Sequence, residues 1–351
     1  MKTVIADKIA SVAQDKALKR ELRVSADIPC EEGILVAVEI LNNKATYNKL
    51  ELTSGRMAQV KRGDVIIGAL GHRKALFGYS GHLPETLVPG DEIQVLNIGG
   101  VLGICDSVNA NFGQPFNAKV LGAVLEFPIL GERIGVPARA GAETLAADPE
   151  LNTHGVPVVA IAGTCMDSGK TAAASAIVSR LRHLGFTVDA FKATGVSLRR
   201  DILAMEDAGA RNTSIFTDFG VVTTTAINGP AVTRTMMSNL CAAKPDVVVF
   251  ELGDGILGAY GVDAILNDKA IAAALSCLIL CANDPVGATG GVALLKSEFD
   301  LQAHLITGPA TDNEVGRNII KKRLNVPGIN AITNAVELGD AVAEVLNLDK
   351  S

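Results

Sequence analysis

The stretch Gly163-Thr-Cys-Met-Asp-Ser-Gly169-Lys170-Thr171 gathers the residue types that grip a polyphosphate. Glycines let the backbone curl until several N–H groups face one phosphate, and a helix starting at the same place adds its positive dipole end. Lys170 is suited to the β- and γ-phosphates and Thr171 offers a hydroxyl to magnesium. The segment from Val156 to Ala162 reads as a strand and Thr171–Leu184 as a helix, the flanks that a phosphate loop requires. A chance Gly-Lys-Thr at a helix start would lack that preceding strand. Expected contacts to a nucleotide therefore fall on Gly163, Thr164, Met166, Asp167, Ser168, Gly169, Lys170 and Thr171.

The generic pattern, G-x4-G-K-[ST], would place its first glycine at Thr164, but the glycine stands one residue earlier, at Gly163. Read as G-T-x4-G-K-T, the loop resembles that of dethiobiotin synthetase. That P-loop class also contains cobyrinic acid amidases, molybdopterin-guanine dinucleotide accessory proteins and nickel-insertion GTPases. Two more segments extend the resemblance. An apolar strand, Asp246–Phe250, runs into Glu251-Leu-Gly253-Asp254-Gly255, which is similar to the Glu-Gly-x-Gly-Gly stretch of that family. Phe191-Lys192-Ala-Thr194-Gly195 leads on to Ser197, Arg199, Arg200 and Asp201, as a lysine-ended strand and small-residue loop do there.

The resemblance implies Lys170, Lys192 and Glu251 as catalytic residues, and Thr171, Asp201 and Glu251 around magnesium. Thr194, Gly195 and Asp254 are candidates near a substrate; Arg199 and Arg200 are candidates on chemistry alone, since guanidinium forks match carboxylate or phosphate, and nothing in the sequence decides whether either clamps one. No Asn-Lys-x-Asp guanine signature occurs, and Asn283 stands after the strand Leu278–Ala282 where the family contacts adenine, which favours ATP. A homodimer is a further implication. Thr307 to Asn313 follows the next strand; it reads equally as a base-pocket lining or as a Gly-Pro turn with an Asp-Asn helix cap.

These residues together predict an ATP- and Mg2+-dependent enzyme that activates a small carboxylate or carbamate, or transfers a phosphoryl group, in the manner of a ligase or kinase. The alternative is a nucleotide-hydrolysing switch or accessory protein of the metallochaperone or cofactor-assembly type. The second substrate is expected to be small and acidic. His72 and His82 are ten residues apart with no third ligand nearby, so the glycine-rich stretch Gly68–His82 is read as a functional loop or as close packing in a barrel turn rather than a metal site.

These groups need a scaffold, and the chain's rhythm supplies two. In 351 residues two domains are the natural prior. Short apolar runs broken by glycine fill residues 34–127, namely Ile34–Ile40, Asp64–Leu70, Glu92–Leu96, Val101–Cys105 and Ala118–Leu125, which predicts a β-rich N-terminal domain over 1–137, a small barrel or sandwich. Ile5–Arg20 reads as a short amphipathic helix and 138–154 as a linker. From 155 to 351 apolar strands alternate with helices. That pattern predicts an α/β P-loop NTPase domain whose mainly parallel, doubly wound sheet is covered on both faces. The expected strands there include His304–Thr307 and Ile329–Thr333, followed by a final helix Ala335–Leu346.

Composition sets outer limits. A net charge of −6 provides no basic face for nucleic acid, and the absence of Trp with only three Tyr provides no stacking platform. The charged start is unlike a secretory signal, and no run approaches the about 20 apolar residues of a membrane span. Six cysteines lack CxxC or metal-ligand spacing and read as buried free thiols, so a cytoplasmic location with no membrane partner is expected.

Overall fold

A computed structural model of the chain describes residues 1–129 and 134–348; the end of the expected second domain, residues 349–351, lies outside them. The chain forms two compact units, and neither is a single stretch of sequence. The first comprises Met1–Leu145, Val196–Arg200 and Phe216–Thr223, and the second the remainder.

In the first unit the strands are β1 (Lys2–Ile5), β2 (Lys8–Ile9), β3 (Glu21–Ser25), β4 (Leu35–Ile40), β5 (Lys49–Glu51), β6 (Met57–Gln59) and β7 (Val65–Leu70). They continue as β8 (Arg73–Lys74), β9 (Tyr79–His82), β10 (Glu92–Val95), β11 (Val101–Val108), β12 (Phe116–Glu126) and β13 (Val136–Pro137). Pairing runs β12–β4–β7–β11, and β10 joins β11 back to β12, so five strands close into a small barrel. Leu35, Val36, Ile66, Ile67, Leu102 and Val120, which alternate between the two faces of these strands, belong to the apolar core of this unit. The glycines of Gly68–His82 mark close packing: a Cβ on Gly68 would stand 2.2 Å from the Gly100 carbonyl oxygen, and one on Gly81 2.5 Å from that of Ile104. His82 pairs with Asp106 at 2.7 Å, and Arg73 is buried with its guanidinium on the Tyr47 hydroxyl.

The predicted helix over Ile5–Arg20 is not formed. Asp7 accepts the Val65 N–H at 2.9 Å and the Arg20 guanidinium donates to the Ala6 carbonyl at 2.7 Å. Those ties hold the segment extended, so only Ser11–Lys16 winds, as a 3-10 turn ended by Ala17 in the left-handed region.

The second unit holds six parallel strands in the order β16 (Thr213–Ile215), β15 (Val188–Lys192), β17 (Val247–Glu251), β14 (Val158–Gly163), β18 (Leu275–Cys281) and β19 (Leu305–Thr307). Their side chains are buried almost throughout, as a sheet covered on both faces demands. Helices α1 (Lys170–His183), α2 (Arg200–Asp207), α3 (Gly229–Ala242), α4 (Val262–Asn267), α5 (Lys269–Ala274), α6 (Pro285–Phe299), α7 (Glu314–Leu324) and α8 (Ala335–Val345) connect or follow them. Of the predicted strands, Ile329–Thr333 is absent. The Asn330 side chain accepts the Ile332 and Thr333 N–H groups at 2.9 Å each, an Asx turn that takes the chain off the sheet edge. Among the six free thiols Cys241, Cys277 and Cys281 are buried, whereas Cys30, Cys105 and Cys165 are half-buried, which corrects the uniform expectation.

Candidate functional site

The site lies at the carboxyl ends of β14, β15 and β17, all within the second unit. β14 delivers Gly163 at the sheet's centre, and the Thr164 N–H donates to the Cys281 carbonyl of the neighbouring strand at 2.9 Å. The loop then curls through Asp167 (φ +57) and Gly169 (φ +91), both left-handed. Gly169 is the N-cap of α1 and contributes no side-chain cap, so the first N–H groups of the helix stay open toward the loop.

Lys170 is buried, and its ammonium donates to the Cys165 carbonyl at 2.8 Å and lies 3.4 Å from the Ser168 hydroxyl. The displaced glycine has its physical reason here. A Cβ at Gly163 would stand 2.4 Å from Ser168 Oγ and 2.9 Å from Lys170 Nζ, so the lysine stem crosses the loop where only glycine leaves room.

Phe191 and Phe250 are register partners on β15 and β17 and stack at 4.8 Å with a 4° interplanar angle. The next residues, Lys192 and Glu251, are the next register pair. That stack fixes the register that places Lys192 and Glu251 side by side at the strand ends. Thr171 Oγ1 donates to Glu251 Oε2 at 3.0 Å, and Lys192 is ion-paired with Asp201. Glu251, Lys192 and Asp201 are each buried. Burial first, and the neighbouring Asp201 second, push the Glu251 carboxyl above the usual carboxylate range; Lys192, Lys170 and the Thr171 hydroxyl oppose them. Among the described residues no three or more His, Cys, Asp or Glu side chains are spaced to hold a metal on their own.

Thr194 and Gly195 hold the loop together. Thr194 Oγ1 donates to the Gly253 carbonyl at 2.8 Å, and the Gly195 N–H donates to Thr224 Oγ1 at 2.8 Å. Asp254 is 8% exposed, and neither of its carboxylate oxygens has a hydrogen-bond partner among the described residues. Burial raises its pKa; Lys170, and a Gly255 N–H close by but short of hydrogen-bond geometry, work against that rise. Asn283 sits at the loop's flank, its amide 3.1 Å from the Cys165 sulfur.

Arg199 and Arg200 belong to the first unit. The Arg199 N–H donates to Glu51 Oε2 at 2.8 Å and its guanidinium to the Thr53 carbonyl at 3.1 Å. After β19, Asn313 caps α7 through the Gly316 N–H, and a Cβ on Gly308 would meet the Ser168 carbonyl at 2.3 Å. The sequence singled out neither Thr224 nor the buried Asn330 amide, which reaches Asp312 at 2.8 Å; both act across long separations that no local pattern announces.

Strand, glycine-bearing loop and helix at the centre of a parallel sheet define the second unit as a P-loop NTPase fold, preceded by a β-rich part. No protein-family model and no curated protein matches the chain. Similar solved structures include the signal recognition particle receptor FtsY from Elizabethkingia anophelis, 15% identical over 55% of this chain and 67% of that one, with a TM-score of 0.39. The hydrogenase maturation factor HypB from Archaeoglobus fulgidus is 13% identical over 55% of this chain and 91% of its own, with a TM-score of 0.40. A duf1611 family protein from Anabaena variabilis is 11% identical over 59% of this chain and 63% of its own, less than two thirds, with a TM-score of 0.40.

Proposed function

We propose that this protein binds ATP with magnesium and uses it to activate a small acidic substrate or to transfer a phosphoryl group, as a dethiobiotin synthetase-like P-loop enzyme does. The observation that carries this reading is the Thr171–Glu251 hydrogen bond at 3.0 Å beside a loop-folded Lys170. It joins the hydroxyl at the helix start to a buried carboxylate in register with Lys192, so cation, hydroxyl and acid converge where the terminal phosphates would lie.

The residues fit magnesium. Burial and the like charge of Asp201 raise the pKa of Glu251, and a divalent cation beside the two carboxylates would offset that clash. Thr171, Glu251 and Asp201 are the residues that would hold it. When bound, magnesium supplies charge neutralisation at the phosphates. The chain's own groups do the rest. Lys170 exchanges its Cys165 carbonyl for phosphate oxygens, the open N–H groups of α1 hold the anion, and Lys192 neutralises the acceptor. Asn283, at the loop's flank, is the group that favours adenine.

One observation favours a second reading, a nucleotide-driven switch or accessory protein. Val196–Arg200, which leads from Gly195 to Asp201, belongs to the first unit and is tied there by the Asn97 amide on the Ser197 carbonyl at 2.8 Å. A nucleotide that moved Asp201 off Lys192 would pull on that stretch.

ATP hydrolysis measured with and without a panel of small carboxylic acids separates the two. Stimulation by one acid, with an acyl phosphate trapped by hydroxylamine, is expected. Slow turnover indifferent to every acid and raised by a protein partner supports the switch. In either case Lys170→Ala is expected to remove Mg·ATP binding in calorimetry, and unchanged affinity would overturn the whole reading.

A further inference from the structure

We propose that Asp254 is a catalytic residue that accepts a hydrogen bond from the attacking nucleophile, a water or an acceptor hydroxyl or amine, opposite the terminal phosphate. The proposal rests on the nucleotide reading above and assigns one residue within it.

Two anomalies coincide at this position. Asp254 has φ +69, in the left-handed region that glycine adopts freely and Asp or Asn at a smaller penalty than other residues. Eight other described non-glycine residues share a positive φ, among them Ala17, Lys244, Asp300 and Asn325, and all eight are exposed or half-exposed. Three of them, Ala17, Asp300 and Asn325, are helix C-caps, where that conformation closes the helix. Asp254 is the buried one, and it caps nothing. No donor among the described residues meets hydrogen-bond geometry at its carboxylate, although buried carboxylates in folded proteins are almost always satisfied.

A glycine would relieve both conditions at once, and glycine stands on either side. A Cβ on Gly253 would lie 2.3 Å from the Thr194 carbonyl, and one on Gly255 2.8 Å from that of Thr164. The loop is thus clamped between the β15 loop and the phosphate loop, with one bulky charged exception in the middle. Strain together with an unpaired buried charge is the signature of a group whose partner arrives with the ligand. Lys170 is near enough to act on Asp254 through its charge. In the nucleotide state Lys170 faces the β- and γ-phosphates, which puts the Asp254 acceptors beside the phosphate that is attacked. The partner is then an O–H or N–H donor at that end, and the attacking nucleophile has one to give.

The test uses the full chain with Asp254→Gly and Asp254→Asn, reading thermal unfolding, Mg·ATP affinity, single-turnover phosphate release and its magnesium dependence. Asp254→Gly is expected to unfold at a higher temperature than wild type and to keep Mg·ATP affinity within about threefold. Its single-turnover rate is expected to fall by roughly 100-fold or more, the scale of a lost alignment. Asp254→Asn, which retains an acceptor oxygen, is expected to fall less. A glycine variant that turns over at the wild-type rate overturns the assignment. So does a variant whose deficit disappears at high magnesium, because the carboxylate then serves the cation. A wild-type chain that binds no triphosphate removes the nucleotide reading itself, an outcome visible before any variant is made.

Discussion

Asp15 shows how a half-buried carboxylate makes stability depend on pH. Its pKa is raised from the ordinary 3.8 to about 6, by burial first and by the neighbouring Asp218 second, while Arg199, Gln14 and Lys16 oppose the rise. Gln14 also donates to Asp218 at 3.1 Å, and one Asp15 oxygen has no hydrogen-bond partner among the described residues. A carboxyl whose folded pKa lies above its unfolded value binds its proton more tightly when folded. It therefore holds its stabilising share at acid pH and loses it as pH climbs from about 4 through about 6. The shift of roughly 2 units corresponds to at most about 3 kcal/mol, less after allowance for partial exposure. Asp15→Asn is accordingly expected to raise the unfolding free energy at pH 8 by about 1–2 kcal/mol and to leave it unchanged at pH 4. Urea titrations at the two pH values check this; an equal effect at both would remove the ionisation argument.

Among the elements, the parallel strands fix the site, and they are the part of the fold that the sequence displays best. Unbroken apolar runs such as Val158–Ala162 and Val247–Phe250 have one stable use, a strand buried on both faces, and the residues just after such a run stand at the carboxyl edge of the sheet. Lys192, Glu251 and the phosphate loop were legible for that reason. The Asx turn at Asn330 was not, because an apolar flank conceals a side chain that competes for backbone N–H groups. Nor was the Phe191–Phe250 stack, which exists only once the register of β15 on β17 is set. The tightness of these elements gives a further prediction. Gly253→Ala forces a methyl to 2.3 Å from the Thr194 carbonyl and 3.1 Å from Lys192 Cε, and backbone is the atom that must yield. The expected loss is about 1–3 kcal/mol of stability, with a disproportionate loss of turnover because Lys192 moves too. An alanine variant with wild-type stability and rate would show that the β15 and β17 loops are free to part.

For the molecule as a whole, chain order and compact units do not coincide. The change of pattern near residue 150 marks where parallel strands begin, but it gives no sign that Val196–Arg200 and Phe216–Thr223 fold with the first unit. Their attachments are specific. Val222 is fully buried in the core with Leu35 and Val101. The Val222 and Thr223 N–H groups donate to Glu32 at 2.9 and 2.7 Å, and Thr223 Oγ1 donates to the His72 carbonyl at 2.6 Å. Burial raises the Glu32 pKa, and those two N–H donors oppose the rise. A fragment ending at Leu145 would therefore keep the barrel strands but lose a core valine, expose its pocket, and leave Glu32 without the donors that hold it. Removing a buried valine-sized side chain alone costs about 1–3 kcal/mol, and each hydrogen bond lost to a charged group about 1.5–3 kcal/mol. Against the marginal stability of a domain of that size, such losses decide whether it folds. Met1–Leu145 is thus expected to unfold well below the full chain in thermal denaturation and to bind hydrophobic dyes. Adding a peptide covering 216–223 is expected to restore part of the midpoint, since the same contacts can form in trans. A fragment as stable as the intact protein, indifferent to that peptide, would show that the barrel closes without the segments borrowed from the later half of the chain.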